Sequence, residues 1–198
     1  MVTPLALLAS SLLASAGTGH AGAEDVPRKP PPERLQLGAA LGVVHPYGFT
    51  EFYDDLDARR GLGLGAHGLY DYPIGAFTLS PGVSGTFSWP QTTQGSVWSA
   101  TGLLAFRASH RSAFLIPYVQ LGFGIGYLQV EQPAPNGRRG RATSFGAFQV
   151  GGGLGLALGE SYTLGPYVLF ENIAVTLPGY ERDDAQLVST GVELEFRF

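Results

Sequence analysis

Apolar residues recur at every second position along most of the chain after Leu35, which is the period of a β-strand with one apolar face. Between Phe77 and Trp89 these apolar positions alternate with Thr, Ser and Gly. A helix would space them three or four positions apart. The same alternation predicts eight strands, at about residues 35–45, 61–72, 77–89, 95–108, 113–131, 141–158, 162–175 and 186–198.

The links between these strands alternate in character. Longer polar links follow the first, third, fifth and seventh strands, and tight links follow the second, fourth and sixth. The second strand face carries Gly, Ser, Thr and Ala with a few ions, whereas a water-facing surface is rich in charge. Small residues suit the inside of a barrel, and a sheet in lipid must close to pair its backbone groups. We therefore predict an all-β fold, an eight-stranded antiparallel up-and-down transmembrane β-barrel.

Composition narrows the range of functions. The 198 residues include 29 Gly and only 14% charged residues, with a formal net charge of −4. Nucleic-acid binding needs a basic face, so no nucleic-acid partner is predicted. The chain has no Cys, which excludes disulfides, thiolate catalysis and zinc sites built on Cys. We predict no cofactor and no metal.

The first 34 residues are predicted to lie outside the barrel. An apolar stretch from Leu5 to Leu13 is followed by small residues and the sequence Ala-Gly-Ala at 21–23, an order typical of a secretory signal peptide, although the preceding residues lack Lys and Arg. The apolar stretch is too short to span a membrane as a helix. We assign residues 1–23 to a signal peptide, residues 24–34 to a Pro-rich linker and residues 35–198 to the barrel.

Aromatic residues cluster toward the predicted strand ends. Tyr70, Tyr72 and Phe77 lie near short links, whereas Trp89 and Trp98 lie near long ones. Aromatic belts of this kind form where an apolar band meets water on each side of a membrane, although aromatic residues also favour strands in general.

The chain ends in the sequence VELEFRF, in which Val192, Leu194, Phe196 and Phe198 share one face. With this ending, residues 35–198 resemble the eight-stranded outer-membrane β-barrel family of Gram-negative bacteria and are similar to the transmembrane domain of outer-membrane protein A. The resemblance is one of architecture. It implies that Leu194, Phe196 and Phe198 form the signal recognised by the outer-membrane assembly machinery. It also implies localisation in the cell outer membrane and contact with its lipids and lipopolysaccharide.

The polar strand face carries the candidate site, which would lie in the barrel lumen. We predict an ion-pair cluster of Asp71, Arg107, Glu193, Glu195 and Arg197. Further polar lumen residues are predicted to be His67, Tyr118, Gln120, Gln149, Tyr167 and Glu171. Charges in a narrow, low-dielectric lumen must be paired or hydrated, so a structural plug is the favoured interpretation. A narrow polar path and a catalytic pair of Asp71 and His67 are the alternatives.

The sequence His110-Arg111-Ser112 is the strongest hint of catalysis. A His two positions from a Ser resembles the nucleophile arrangement of outer-membrane lipid A deacylases, and a Ser nucleophile needs such a base. The predicted topology places these residues in a short turn at the periplasmic end, away from the outer leaflet. Turn residues are therefore the favoured interpretation.

The long links and one glycine run offer weaker candidates. Acidic residues of the first loop could supply the oxygen ligands that Ca²⁺ takes. They lack the regular spacing of an EF-hand, so solvated surface charge is the favoured interpretation over a Ca²⁺ site. They are Glu51, Asp54, Asp55 and Asp57. The arginines of the third loop could bind lipopolysaccharide phosphates or pair with acidic loops, and they are Arg138, Arg139 and Arg141. The glycines of residues 151–155 lack a following helix and are interpreted as interior strand glycines.

Together these patterns predict a small, non-enzymatic outer-membrane β-barrel with a structural or surface-recognition role. The alternatives are a narrow pore for small solutes or lipids, a lipid A modifying enzyme, and a soluble secreted barrel that binds a ligand inside. The last of these would turn its apolar face inward.

Overall fold

Eight β-strands account for nearly all of the described chain, as the alternating pattern predicts. A computed structural model describes residues 34–47, 57–93, 95–110, 114–131, 139–175 and 183–198. The strands are β1 (Arg34–Pro46), β2 (Arg59–Ile74), β3 (Phe77–Gln91), β4 (Ser96–His110), β5 (Leu115–Glu131), β6 (Arg139–Leu158), β7 (Tyr162–Val175) and β8 (Asp183–Arg197). No helix among the described residues is long and apolar enough to cross a membrane. The predicted signal peptide and all but the last residue of the predicted linker lie outside the described residues, and β1 begins with that last residue, Arg34.

The strands form one closed sheet in chain order. Each strand pairs antiparallel with the next, and β8 returns to pair with β1 from Gln36↔Arg197 to Pro46↔Leu187. Closure removes both sheet edges, so the backbone groups of every strand have partners inside the sheet. The predicted fold class is confirmed.

The apolar face of the sheet points outward. Side chains such as Leu41, Val83 and Leu104 are 57–63% exposed although they are large and apolar. A soluble barrel would bury these residues inside. At the end of the barrel with the short turns, aromatic rings contact one another in the pairs Tyr70–Tyr72 and Tyr162–Phe196. The outward surface is therefore an apolar belt of the kind that faces lipid.

The lumen contains an apolar layer that the alternating pattern did not predict. At the end of the barrel with the long loops, many inward side chains are aliphatic, where the second face was expected to be small and polar, although Ser88 and Ser99 are also buried there. The aliphatic side chains form one buried cluster of Val44, Val97, Leu103, Leu128, Val130, Ala147, Ile173, Val175, Ala185 and Leu187. We call this cluster the apolar layer. Near these strand ends both faces are apolar, so alternation alone does not distinguish them.

Candidate functional site

The predicted ionic residues lie together in the half of the lumen nearer the short turns. Asp71 is on β2, Arg107 on β4, and Glu193, Glu195 and Arg197 occupy alternate positions of β8. All five point inward, and each is at most 8% exposed. The β1–β8 pairing that closes the barrel brings the β8 carboxylates, which are far away in sequence, close to β2 and β4. We call these five residues, with His67, the ionic layer.

Arg107 is the centre of the ionic layer. Its guanidinium contacts Glu195 and donates to Glu193 at 3.0 Å. It also donates to the side-chain oxygen of Gln120 at 2.7 and 3.0 Å, and lies 4.0 Å from the centre of the Tyr118 ring. Three acceptors and a ring face therefore hold one buried cation, which is the pairing that a charge in low dielectric needs.

A second ion pair lies beside the first. Arg197 lies 3.5 Å from an Asp71 oxygen and 3.5 Å from the second oxygen of Glu195. Ser80 donates a hydrogen bond to Asp71 at 2.6 Å. Glu195 therefore links the two guanidinium groups, and the network runs across the lumen from β4 to β8 and on to β2.

His67 belongs to the ionic layer and not to a separate polar set. Its Nδ1 lies 3.1 Å from Glu193, and its Nε2 lies 3.8 Å from Glu195. Donor atoms of these three residues lie within 4.8 Å of one another, a set that a divalent cation could use. The guanidinium of Arg107 already pairs with both carboxylates, however, and Arg197 contacts Glu195 as well, so the geometry favours an ion-pair network over a metal site.

Three of the remaining predicted polar residues, Tyr118, Gln120 and Gln149, extend this network around the lumen wall. Tyr118 donates a hydrogen bond to Glu193, and Gln120 donates to Gln149 at 3.1 Å. Tyr167 is buried inside the barrel, with its hydroxyl against the backbone of Gly42.

Glu171 lies apart from the ionic layer. Its carboxyl group accepts hydrogen bonds from Thr86 at 2.5 Å and from Thr101 at 3.3 Å. Within the described part of the chain no basic side chain contacts it. The structure thus divides the predicted lumen residues into a charged network and one carboxyl group held by hydroxyls.

Inward glycines provide the space for the large lumen side chains. A Cβ atom at Gly38 would overlap the His67 ring, and one at Gly153 would lie 2.6 Å from the Tyr118 hydroxyl. The glycines of residues 151–155 were all predicted to face the interior. This prediction is wrong for Gly152. Gly152 lies between Val119 and Val168, which are exposed on the outer face.

The predicted catalytic pair of Asp71 and His67 is not formed. Asp71 contacts Ser80 and Arg197, whereas His67 contacts the β8 carboxylates. His110 lies at the short-turn end, with its ring 5.2 Å from that of Phe77. Its predicted partners in that turn, Arg111 and Ser112, lie outside the described residues.

The loop candidates are only partly described. Asp57 pairs with Arg59 at 2.8 Å and accepts a hydrogen bond from Thr93 at 3.1 Å, so it links the first and second long loops. The hydrogen bond from Arg59, and then that from Thr93, lower the pKa of Asp57. Arg139 and Arg141 lie in β6, opposite Glu131 and Gln129. Outside the described residues lie Glu51, Asp54, Asp55 and Arg138.

The predicted assembly signal lies on the outer face of β8 and just beyond it. Leu194 and Phe198 are exposed. Phe196 packs between Tyr162 and Phe198, at ring distances of 4.8 and 4.3 Å. The three side chains form a continuous apolar edge at the short-turn end.

Comparison with known proteins establishes the fold and no more. No protein-family model matches the sequence, and no curated protein matches it. Among solved structures, the chain is similar to Neisserial surface protein A, with 12% identity and a TM-score of 0.55 over 84% of this chain and 97% of that one. It is also similar to the N-terminal β-barrel domain of Pseudomonas aeruginosa OprF, with 13% identity and a TM-score of 0.47 over 83% of this chain and 97% of that one. A third similar structure is Ail, the attachment invasion locus protein of Yersinia pestis, with 17% identity and a TM-score of 0.44 over 84% of this chain and 97% of that one. The first similarity confirms the predicted resemblance at the level of architecture: the chain has the fold of the eight-stranded outer-membrane β-barrels.

Proposed function

We propose that this protein is a non-enzymatic outer-membrane β-barrel, closed to solutes, that stabilises the cell envelope and presents its long loops for recognition. The observation that supports this function best is the filling of the lumen. The ionic layer and the apolar layer follow one another along the barrel axis, and both are built from buried side chains.

The two layers oppose conduction for different reasons. An eight-stranded barrel has an interior just wide enough for side chains to fill. In the ionic layer the charges are bonded to one another, so a passing ion would have to displace a buried partner. In the apolar layer a hydrated ion would lose water without gaining a polar group.

The outer surface supports a position in the outer membrane. The sheet is closed, its outward belt is apolar, and the chain ends in the outward edge of Leu194, Phe196 and Phe198. An apolar belt of this kind fits contact with membrane lipids and lipopolysaccharide. The terminal edge fits docking to the assembly machinery.

The orientation follows from the two kinds of link. We expect the long loops to face the cell exterior and the turn at Gly75 to face the periplasm, as in barrels with short periplasmic turns. The chain has no Cys, so single Cys substitutions at Asp55, Arg139 and Gly75 can be labelled on intact cells without background. Labelling at Gly75 but not at Asp55 would reverse the orientation.

Planar-bilayer recording tests the closed lumen. The wild-type protein should show no steady conductance. Leu128→Ala removes part of the apolar layer and should produce at most brief openings, whereas Leu104→Ala makes the same change on the lipid-facing surface and should be silent. A large, steady, ungated conductance of the wild type would instead favour the pore.

A further inference from the structure

A basic cleft lies at the long-loop end of the barrel, where β1, β2 and β3 meet the loops. Its volume is about 500 Å³, and it is lined by His45, Pro46, Ala58, Arg59, Arg60 and Gln91. Two of these side chains are guanidinium groups, one is an imidazole and none is acidic. The cleft therefore has the lining of an anion site.

The strand register places this cleft at the upper edge of the apolar belt. Val43 on β1 is opposite Leu62 on β2, and Leu62 is opposite Trp89 on β3. All three side chains are exposed on the outer face. His45 is the next outward position of β1 toward the loops. On β2 the register with β3 shifts between Leu62 and Arg59, and Arg59 lies opposite Gln91. Arg59 and Arg60 are both exposed. The basic groups thus begin where the lipid-facing surface ends, at the depth of lipid head groups.

The charges of the cleft are only partly neutralised. Asp57 binds Arg59, but that ion pair is exposed, with 68% of the Arg59 side chain and 50% of the Asp57 side chain accessible. Within the described residues, no carboxylate pairs with Arg60. Asp57 is also bound by Thr93 at 3.1 Å, which ties Arg59 to the rim between two loops. Among the described residues, Arg59 is thus held by a carboxylate and Arg60 is not.

We propose that His45, Arg59 and Arg60 bind a phosphate group of lipopolysaccharide in the outer leaflet. This inference rests on the proposed function, because it takes the long-loop end as the outer one. A guanidinium group matches a phosphate with two parallel hydrogen bonds, and a site at head-group depth meets the phosphates of the acylated sugar. The adjacent Leu62 and Trp89 would contact its acyl chains. The site differs from the third-loop arginines that the sequence singles out.

Lipid-dependent heat stability tests the site. The detergent-purified protein is heated with increasing amounts of lipopolysaccharide, and the folded fraction is followed by its electrophoretic mobility. A ligand at free concentration c that binds only the folded state stabilises it by RT ln(1 + c/Kd), so the rise of the unfolding midpoint with ligand concentration reports the affinity. We expect the wild type to be stabilised, and the double substitution Arg59→Gln with Arg60→Gln to weaken apparent affinity by about tenfold or more.

Matched controls separate a specific site from general charge. Arg34→Gln makes the same change at the opposite end of the barrel, where Arg34 donates to the backbone oxygen of Glu160, and should leave the response unchanged. Lipopolysaccharide stripped of phosphate should not stabilise the wild type. If the double variant does not fold, Arg60→Gln alone provides the comparison.

Several outcomes would overturn the inference. Equal stabilisation by phosphatidylglycerol would show that any anionic lipid suffices, and an unchanged response of a folded Arg60→Gln or double variant would place binding elsewhere. Absence of any response in the wild type would also refute the site. Because conductance and cellular location are measured separately, a silent outer-membrane barrel without this response would leave the proposed function intact.

Discussion

Replacement of Arg107 by Met tests whether the ionic layer is a dry, paired network. Met keeps an unbranched side chain of comparable reach but removes the positive charge. The change leaves Glu193 and Glu195 without their shared guanidinium and deprives Gln120 of hydrogen bonds of 2.7 and 3.0 Å. His67 and Arg197 would be the only remaining basic side chains that contact those two carboxylates among the described residues.

The expected cost follows from burial. Arg107 is 4% exposed, and removal of one partner from a buried ion pair costs about 3–5 kcal/mol because the remaining charge is unpaired in low dielectric. We expect the free energy of unfolding to fall by about this amount. The effect should be partly reversed when Glu193→Gln is added, with a coupling energy of roughly 0.5–3 kcal/mol.

Urea unfolding in lipid vesicles measures the effect, with the fluorescence of Trp89 and Trp98 as the signal. Arg59→Ala is the matched control, because its ion pair with Asp57 is exposed and is expected to contribute about 0–1 kcal/mol. If Arg107→Met cost no more than Arg59→Ala, the lumen charges would be hydrated and screened. That result would refute the buried network and leave the apolar layer as the support for a closed lumen.

Three further changes test other parts of the structure. Gly38→Ala should destabilise the barrel by about 1–3 kcal/mol in the same urea assay, because the added methyl overlaps a buried imidazole ring, whereas Gly63→Ala has no neighbour closer than 3.5 Å and should cost less. Deletion of Phe198 should reduce the amount of folded, heat-modifiable protein in outer-membrane fractions, and undiminished amounts would contradict the assembly signal. Because its hydrogen bond with Arg59 lowers the pKa of Asp57, the Asp57 carboxylate should protonate only below its ordinary value of 3.8, and Arg59→Gln should move the midpoint of its NMR titration upward. The ion pair between Asp57 and Arg59 is thus fully formed above pH 3.8 and is lost as the pH falls through the lowered pKa of Asp57.

Strand number, strand position and the outward face could be predicted from sequence because they depend on local alternation. Between Phe77 and Trp89 every second side chain is apolar or Gly, and β3 spans that segment. The small residues of the opposite face indicated a crowded interior, and the terminal VELEFRF showed which face of β8 meets lipid. Each of these inferences uses neighbours within one strand.

The apolar layer could not be predicted because alternation ends where both faces are apolar. The consecutive residues Val43 and Val44 point to opposite sides of the sheet, one exposed and one fully buried. Leu187 and Val188 form a similar apolar pair near the start of β8. Such apolar pairs at the loop ends of several strands were the feature of the sequence that pointed to the apolar layer.

The partners inside the lumen were decided by barrel closure. The sequence by itself determined that Asp71, Arg107, Glu193, Glu195 and Arg197 share the inward face, because inward and outward positions alternate along each strand. Which carboxylate meets which guanidinium depends on the stagger of strands around the barrel, a property of the whole sheet. Closure through β1 and β8 set that stagger, so Glu195 meets both Arg107 and Arg197 and the His67 ring lies in the space left by Gly38.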